Sequence, residues 1–487
     1  MSALLPVLIL LASLVPAGLT FFVPDHRRVL RNTLSLGGAV LKLGLVAFML
    51  FEVADGTVYE SRLEFAPGLY LLLRVDALAL LFVSLSAVLW FLTTIYAIAY
   101  FGKKPELSRF FGFFSLCVAA TTGLALSGTL ISFFIFYELL TLSTWPLLVH
   151  KRDGKSLAAG RAYLAYALPA GAVLLAAIVW LESVVGPVEF TVPPDLDRLD
   201  DISLRIIFAM FVVGFGVKAA LIPLHGWLPK AMVAPAPVSA LLHAVAVVKA
   251  GAFGILRLVF DVFGLDRVAA LGLGTQLAVL ASATILWGSL QALRQTEIKK
   301  RLAYSTVSQV SYIVLGVALG GPYAVTGGVV HLVHQGLMKI TLFFCAGIFD
   351  QQAGVSRIDA LNGIGVRMPW TAACFTIGAM GMVGLPPTAG FVTKFYLGVG
   401  ALQSGAPWAV GVLVASTLLN AAYFLPLVYR MWFIDAPPEE RPVEAPALLI
   451  GPAVVTALAS LAVGVLAGAA ISPLGWATLI VEREYLP

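Results

Sequence analysis

Apolar positions along this chain gather into runs of about twenty residues, set apart by short polar interruptions that recur from one end to the other. Wound as an α-helix at about 1.5 Å per residue, such a run crosses the ~30 Å hydrocarbon core of a bilayer. Run length and interruption predict about fourteen spans, near residues 2–23, 29–51, 75–100, 108–127, 129–149, 157–183, 203–229, 236–260, 268–291, 298–319, 322–348, 369–400, 407–433 and 446–475. Lipid offers the backbone no hydrogen bonds, so the expected fold class is an all-α polytopic membrane protein. No long linker or low-complexity stretch divides the chain, and residues 1–487 are expected to form one membrane domain. Residues 1–24 lack a basic leader and a small-residue cleavage site, and read as a retained first span.

The seventh and twelfth runs are interrupted. Within residues 205–257, Lys218 lies inside an apolar run and Pro223 follows it. A proline removes one ladder donor and clashes with the carbonyl four residues back, so the Ala219 carbonyl is expected to lose its helical partner. Backbone freed at membrane depth is tolerated inside protein or against a wet cavity, which is where transporters place their sites. The segment PLHGWLPK at 223–230 has an echo in PTAGFVTK at 387–394, a shared P-x-x-G-aromatic-x-x-K in a broken span. An odd number of spans separates the breaks, which predicts two inverted five-helix repeats, about 108–260 and 268–433, with broken helices 7 and 12. Lys230, flanked by Pro229 and Pro235, is expected at a helix end within reach of water. His225 and Trp227 are expected to line an access path or, for Trp227, to anchor at the interface.

Composition sharpens the class. The chain is 60% hydrophobic and 12% charged, about half the charge of a soluble domain. Its net charge of +5 speaks of topology rather than of nucleic acid. Arg27, Arg28 and Arg31, Lys103, Lys104 and Arg109, Lys151, Arg152 and Lys155, and Arg294, Lys299, Lys300 and Arg301 fall on one side, opposite the acidic stretches at 52–64 and 189–201. The basic side is expected to be cytoplasmic, in a bacterial or archaeal plasma membrane, and an even span count then puts both termini outside. Cys117, Cys345 and Cys374 stand singly, without disulfide or metal spacing. No nucleotide loop, nucleophile elbow or triad pattern is present, so neither a cofactor, a metal nor an enzyme acting on its own is expected.

Chemistry gathers where lipid makes it expensive. Glu138 sits near the middle of ISFFIFYELLTLSTWPLLVH, and Lys218, Lys249, Lys339 and Lys394 are similarly deep. Each such charge costs about 2.5–3.5 kcal/mol on insertion scales, and snorkelling is a poor account of five together. His243, His331 and His334 accompany them, the last two on one helix face. A Glu–Lys pair that opens and closes changes how firmly the lysine holds its proton, a property suited to proton relay. Asp76, beside Arg74 at the start of the third span, reads as structural. Metal ligation by the histidines is disfavoured, because no carboxylate or thiolate neighbours them at ligand spacing. Two readings from other classes compete: a haem protein with His243 and His334 as axial ligands, which leaves the lysines unexplained, and a scaffold whose relay is silent.

On these residues the chain resembles the antiporter-like subunit family: Mrp-type multisubunit cation/proton antiporters, proton-pumping membrane subunits of respiratory complex I, and membrane-bound hydrogenases. The resemblance runs from about residue 70 to 430. It is carried by FFIFYELLTLSTWPLLV, GVKAALIPLHGWLPKAMVAPAPVSALLHA, EIKKRLAYSTVSQVSYI, HLVHQGLMKITLFFCAG and GMVGLPPTAGFVTKF. It implies fourteen helices in two inverted five-helix repeats. It also implies roles: Glu138 as the fifth-helix glutamate, Lys218 as its seventh-helix partner, and Lys249 as the central lysine with His243 before it. His334 and Lys339 match the eleventh-helix pattern, and Lys394 the exit half of the relay. Lys394 stands where one complex I branch resembles a glutamate, and ending after the fourteenth span is similar to Mrp D-type or small complex I-type subunits. HGWLPKAMVAPAPVSALLHA is similar to the complex I side and VVKAGAF to the Mrp D side, so both branches stay open. The expected function is a proton-translocating subunit of a multisubunit monovalent cation (Na+)/H+ antiporter, with other membrane subunits as partners. Its alternative is a proton-pumping subunit of a redox-driven complex.

Overall fold

A computed structural model describes residues 4–66, 69–435 and 443–485. The spans, numbered in the expected order, are 1 Leu5–Phe21, 2 Arg28–Ala54, 3 Ala77–Phe101, 4 Leu107–Ala125, 5 Leu130–Leu148 and 6 Gly154–Val185. Span 7 is Asp201–Ala219 followed by short turns to Val233, and span 8 is Ala236–Ala244 with Val247–Arg257. Spans 9 to 11 are Leu273–Leu293, Ile298–Leu319 and Pro322–Ala353. Span 12 is Pro369–Val383 with Ala389–Gln403, and spans 13 and 14 are Pro407–Phe433 and Ala447–Val465. Among the described residues, 12 helices are long and apolar enough to cross a membrane. The two that fall short are span 1, at 17 residues, and span 12, whose halves have 15 residues each.

Three features depart from the sequence-based expectation. The fold is not helical throughout: Tyr59–Ala66 and Leu69–Val75 pair antiparallel, in register Tyr59↔Val75 and Glu60↔Arg74. The hairpin reaches the linker between spans 4 and 5 through a Leu73–Ser127 bridge, and Arg74 donates to the Phe190 carbonyl and, at 2.9 Å, to Thr191 Oγ1. Span 8 is also broken, between Ala244 and Val247, so His243 closes one helix and Lys249 opens the next. Trp227 is fully buried rather than interfacial, while Lys230 is exposed as expected.

The two expected breaks share a backbone design. Span 7 ends with Ala220 in the left-handed region, the Leu221 N–H bonding Gly216 O at 2.9 Å and the Ala220 N–H bonding Val217 O at 3.2 Å. Span 12 ends with Gly384 in the same region, Leu385 N–H bonding Met380 O at 3.2 Å and Gly384 N–H bonding Gly381 O at 3.0 Å. Both are Schellman closures, which satisfy the last helical carbonyls before the chain turns away. A cis X–Pro bond follows each, at Pro223 and Pro387. Every paired position keeps one constant offset, so the sequence echo extends back into the helix ends.

Burial differs sharply between spans. The most apolar window of span 8 is 100% buried and that of span 11 is 94%, against 33% for spans 2 and 13. The charges on spans 8 and 11 therefore face protein, not lipid.

Candidate functional site: a row of buried lysines and histidines

Lys218 lies in the last turn of the first half of span 7, 1% exposed. Its ammonium stands 3.3 Å from the Tyr137 ring centroid and donates to the Tyr137 carbonyl on span 5. A ring face and a carbonyl thus hold the cation, a cation–π arrangement strengthened by burial. Glu138, the neighbour of Tyr137, is half-buried and does not form an ion pair with Lys218 among the described residues. Its Oε1 is buried without a protein hydrogen-bond partner and packs on span 6, where a Cβ on Gly171 would lie 2.3 Å away. The expected partners thus flank one tyrosine without touching. The break beside them is closed by side chains: Trp227 Nε1 donates to Val217 O at 2.7 Å, and Ile222 N donates to Thr284 Oγ1 at 3.2 Å.

Lys249 comes next, fully buried, donating to Leu332 O at 2.8 Å and His331 O at 3.4 Å on span 11. His243 lies 4.6 Å from the Phe343 ring and neither of its ring nitrogens has a protein partner. Within span 11, His331 Nδ1 and His334 Nδ1 converge on the Thr393 hydroxyl, at 3.2 and 2.9 Å. Thr393 belongs to the second half of span 12, immediately before Lys394. The Lys394 ammonium reaches back across the break to Val383 O at 2.6 Å and to Thr417 Oγ1 at 2.9 Å. A cation is favoured there, at the C-terminal end of the first half-helix.

Lys339 enters from the side. It donates to Ser305 Oγ at 2.7 Å and Leu302 O at 3.2 Å on span 10. The Tyr423 hydroxyl joins Ser305 Oγ, at 2.9 Å, to Asn420 Oδ1, and the Asn420 amide donates to Met382 O at 3.1 Å, one residue from the Lys394 acceptor. Ser305, Thr393, Asn420 and Tyr423 connect the row and are not singled out by the sequence, because hydroxyls in spans commonly bond their own helix. The Nε2 atoms of His331 and His334 and the side-chain amide of Gln335 are also buried without protein partners. Buried polar atoms of this kind are served by water in native proteins. The arrangement can pass protons between groups that both donate and accept. Among the described residues no cluster of three or more His, Cys, Asp or Glu could hold a metal ion.

A second polar cluster lies at the far end of span 8. Arg257 bonds Asp76 Oδ2 at 2.6 Å and Asp261 Oδ2 at 3.0 Å, all three buried. Asp76 also caps span 3, accepting from Ala79 N at 2.7 Å, so its structural reading acquires a partner far off in sequence. Glu484, outside the spans, accepts from Ala77 N at 2.9 Å; burial, with Asp76 beside it, pushes its carboxyl up to about 7. Arg257, Asp261, Arg483 and Tyr485 complete its charged and titratable surroundings. A carboxyl raised in the folded state is penalised once the unfolded one ionises, so the docked C-terminal turn should lose stability as pH rises from about 4.5 to 7. Limited proteolysis of that turn against pH checks this: Glu484→Gln should flatten the dependence, and an unchanged slope would refute it.

The family described as NADH:quinone oxidoreductase/Mrp antiporter, TM, matches residues 127–420, a range that runs from before Glu138 to beyond Lys394. NADH-quinone oxidoreductase subunit N of Desulforudis audaxviator (strain MP104C) is 35% identical over 80% of this chain and 81% of its own length. The A/B subunit of a probable K(+)/H(+) antiporter of Rhizobium meliloti (strain 1021) is 31% identical over 96% of this chain and 47% of its own, so the chain spans about half of that relative. In fold, a chain of the Mrp complex from Dietzia sp. DQ12-45-1b superposes with a TM-score of 0.86 at 23% identity, covering 100% of this chain and 98% of that one. Multi-pass helices, three broken spans and a buried basic row therefore meet a match over more than half the chain: the protein is an integral membrane protein of the NADH:quinone oxidoreductase/Mrp antiporter transmembrane family.

Proposed function

We propose that this chain is the proton-translocating subunit of a multisubunit monovalent cation/proton antiporter, working within a complex of other membrane subunits. Its sites are Glu138, Lys218, His243, Lys249, His334, Lys339 and Lys394. The observation that carries the reading is the row itself: Lys249 bonds the His331 and Leu332 carbonyls, both imidazoles of span 11 meet the Thr393 hydroxyl, and Lys394 follows Thr393 on span 12. Partnerless buried nitrogens lie along it, and proton hopping needs such groups and water rather than fixed ion pairs. Glu138, next in sequence to the tyrosine that holds Lys218 and with its Oε1 unpartnered, would change that lysine's hold on its proton by swinging toward it. The two repeats, about 108–260 and 268–433 in one membrane domain, both contribute broken spans to the row, 7 and 8 from the first and 12 from the second. The basic loops face the cytoplasm of a bacterial or archaeal cell, with both termini outside.

The likeness in length and sequence to a quinone-oxidoreductase subunit favours a second reading, in which redox chemistry in partner subunits drives the same row. Everted vesicles carrying the whole operon separate the two. Sodium-driven loss of the pH gradient, abolished by Lys218→Ala or Glu138→Ala with assembly retained, supports the antiporter. Proton movement that needs an electron donor and ignores sodium assigns the redox complex. Normal movement in either variant would sink the relay.

A further inference from the structure

Lys42, on span 2, takes no part in the row. It is fully buried, and its ammonium meets only hydroxyls, Thr122 Oγ1 on span 4 at 2.6 Å and Ser86 Oγ on span 3 at 3.2 Å, with the Trp90 ring centroid 5.8 Å away. No carboxylate pairs with it among the described residues. A lysine that deep without a counter-ion is costly to keep charged, and packing alone would be served better by an apolar side chain.

The helix face that carries Lys42 is divided. The buried residues of span 2 are Arg31, Ser35, Gly38, Ala39 and Lys42 toward the basic-loop end, then Val46, Met49 and Val53 toward the other. Spans 2 and 4 run side by side in the same direction, in a register fixed at two points. Lys42 bonds Thr122, 80 residues on, and the Arg31 guanidinium lies 5.3 Å from the ring of Phe111, at the same separation. That register sets Ser35 level with Ser115. Both hydroxyls are completely buried and neither has a protein partner, and the same holds for Thr20 on span 1, which packs against both helices. Partnerless hydroxyls thus lie between the basic loops and Lys42, and beyond Lys42 the face turns apolar. At about 1.5 Å per residue, the path from Arg31 to Lys42 climbs about 16 Å, half of a bilayer core.

We propose that spans 1, 2 and 4 form a water-filled half-channel, open toward the basic loops and ending on Lys42, which takes up protons beside the main row. The proposal rests on the reading that this chain conducts protons. Nearer the basic loops than Thr122, span 4 places Cys117 Sγ 3.3 Å from Ser143 Oγ and 3.5 Å from Thr144 Oγ1, a separate polar contact with the helix of Glu138.

The test uses the assembled complex in membranes, its native cysteines replaced by alanine. Ser35→Cys and Ser115→Cys should react with a small charged methanethiosulfonate added from the basic-loop side, whereas Val46→Cys should not. Absence of labelling at both serine positions, or equal labelling at Val46→Cys, overturns the half-channel. Lys42→Met should cut proton movement more than tenfold with assembly intact, and unchanged movement overturns the role of Lys42. Labelling does not depend on transport, so a complex that labels as expected but moves no protons even in the wild type contradicts the functional reading and leaves the half-channel standing.

Discussion

Lys249→Met should stop proton movement through the assembled complex and leave the chain folded in the membrane. Lys249 is the only amine on the row between the Glu138–Lys218 end and the histidines of span 11, and its contacts there are two backbone carbonyls. His243, the histidine of span 8, packs on the Phe343 ring and has no hydrogen-bonded protein neighbour through which to replace it. Methionine fills nearly the same volume, and volume-conserving core exchanges usually cost below about 1.5 kcal/mol, so assembly should survive. The carbonyls of His331 and Leu332 keep their place in an unbroken helix. Everted-vesicle flux falling by two orders of magnitude or more, with the complex intact on a native gel, is the expected outcome. Flux within twofold of wild type would remove Lys249 from the path.

Gly390→Ala should damage the second break more than any other single methyl. Gly390 opens the second half of span 12, and a Cβ there would lie 1.9 Å from Gly381 O, a backbone atom of the first half. A side chain could rotate away, but this carbonyl belongs to the Schellman turn and cannot. The halves must part, carrying Lys394 off Val383 O, so the variant combines overpacking of about 1–3 kcal/mol or more with a broken relay. Thermal melting of the purified complex should shift down by several degrees and flux should be lost. The equivalent glycine of the first break, Gly226, would set its Cβ 2.5 Å from the flexible Tyr166 hydroxyl, so Gly226→Ala should be milder. Equal melting temperatures for wild type and Gly390→Ala would refute the close approach.

Much of this was legible because the bilayer punishes polarity. A lysine in a twenty-residue apolar run has few inexpensive explanations, so Lys218, Lys249 and Lys339 stand out unaided. The breaks at Pro223 and Pro387 are legible because proline cannot continue the ladder, although the Schellman turns that close them need coordinates to be seen. The same rule reaches Lys42 and Arg257, whose charges also lie deep in apolar runs. What marks Lys42 further is a stripe at 31, 35, 38 and 42. The parting of Glu138 from Lys218 is a matter of side-chain rotamers, on which spacing is silent. Ser305, Thr393 and Tyr423 are hidden by the many span hydroxyls that merely bond the preceding turn, as Thr93 and Thr94 do. The strands at 59–66 and 69–75 give no clear alternation: Glu60 and Glu64 make the first resemble a polar loop, and LYLLLRV in the second is a short apolar run.

The hydroxyl of Thr393 faces two imidazoles and owns a single proton. It can donate to His331 or to His334, never to both, and whichever ring receives the bond must present a bare Nδ1 while the other offers its own N–H. When the hydroxyl donates to one ring and accepts from the other, the two rings carry opposite tautomers, and on the proposed path a proton passed through it leaves the hydroxyl pointing the wrong way for a second passage in the same sense. A rotation of one C–O bond must reset it. On the proposed proton path, that rotation is a turnstile that every further proton must wait for.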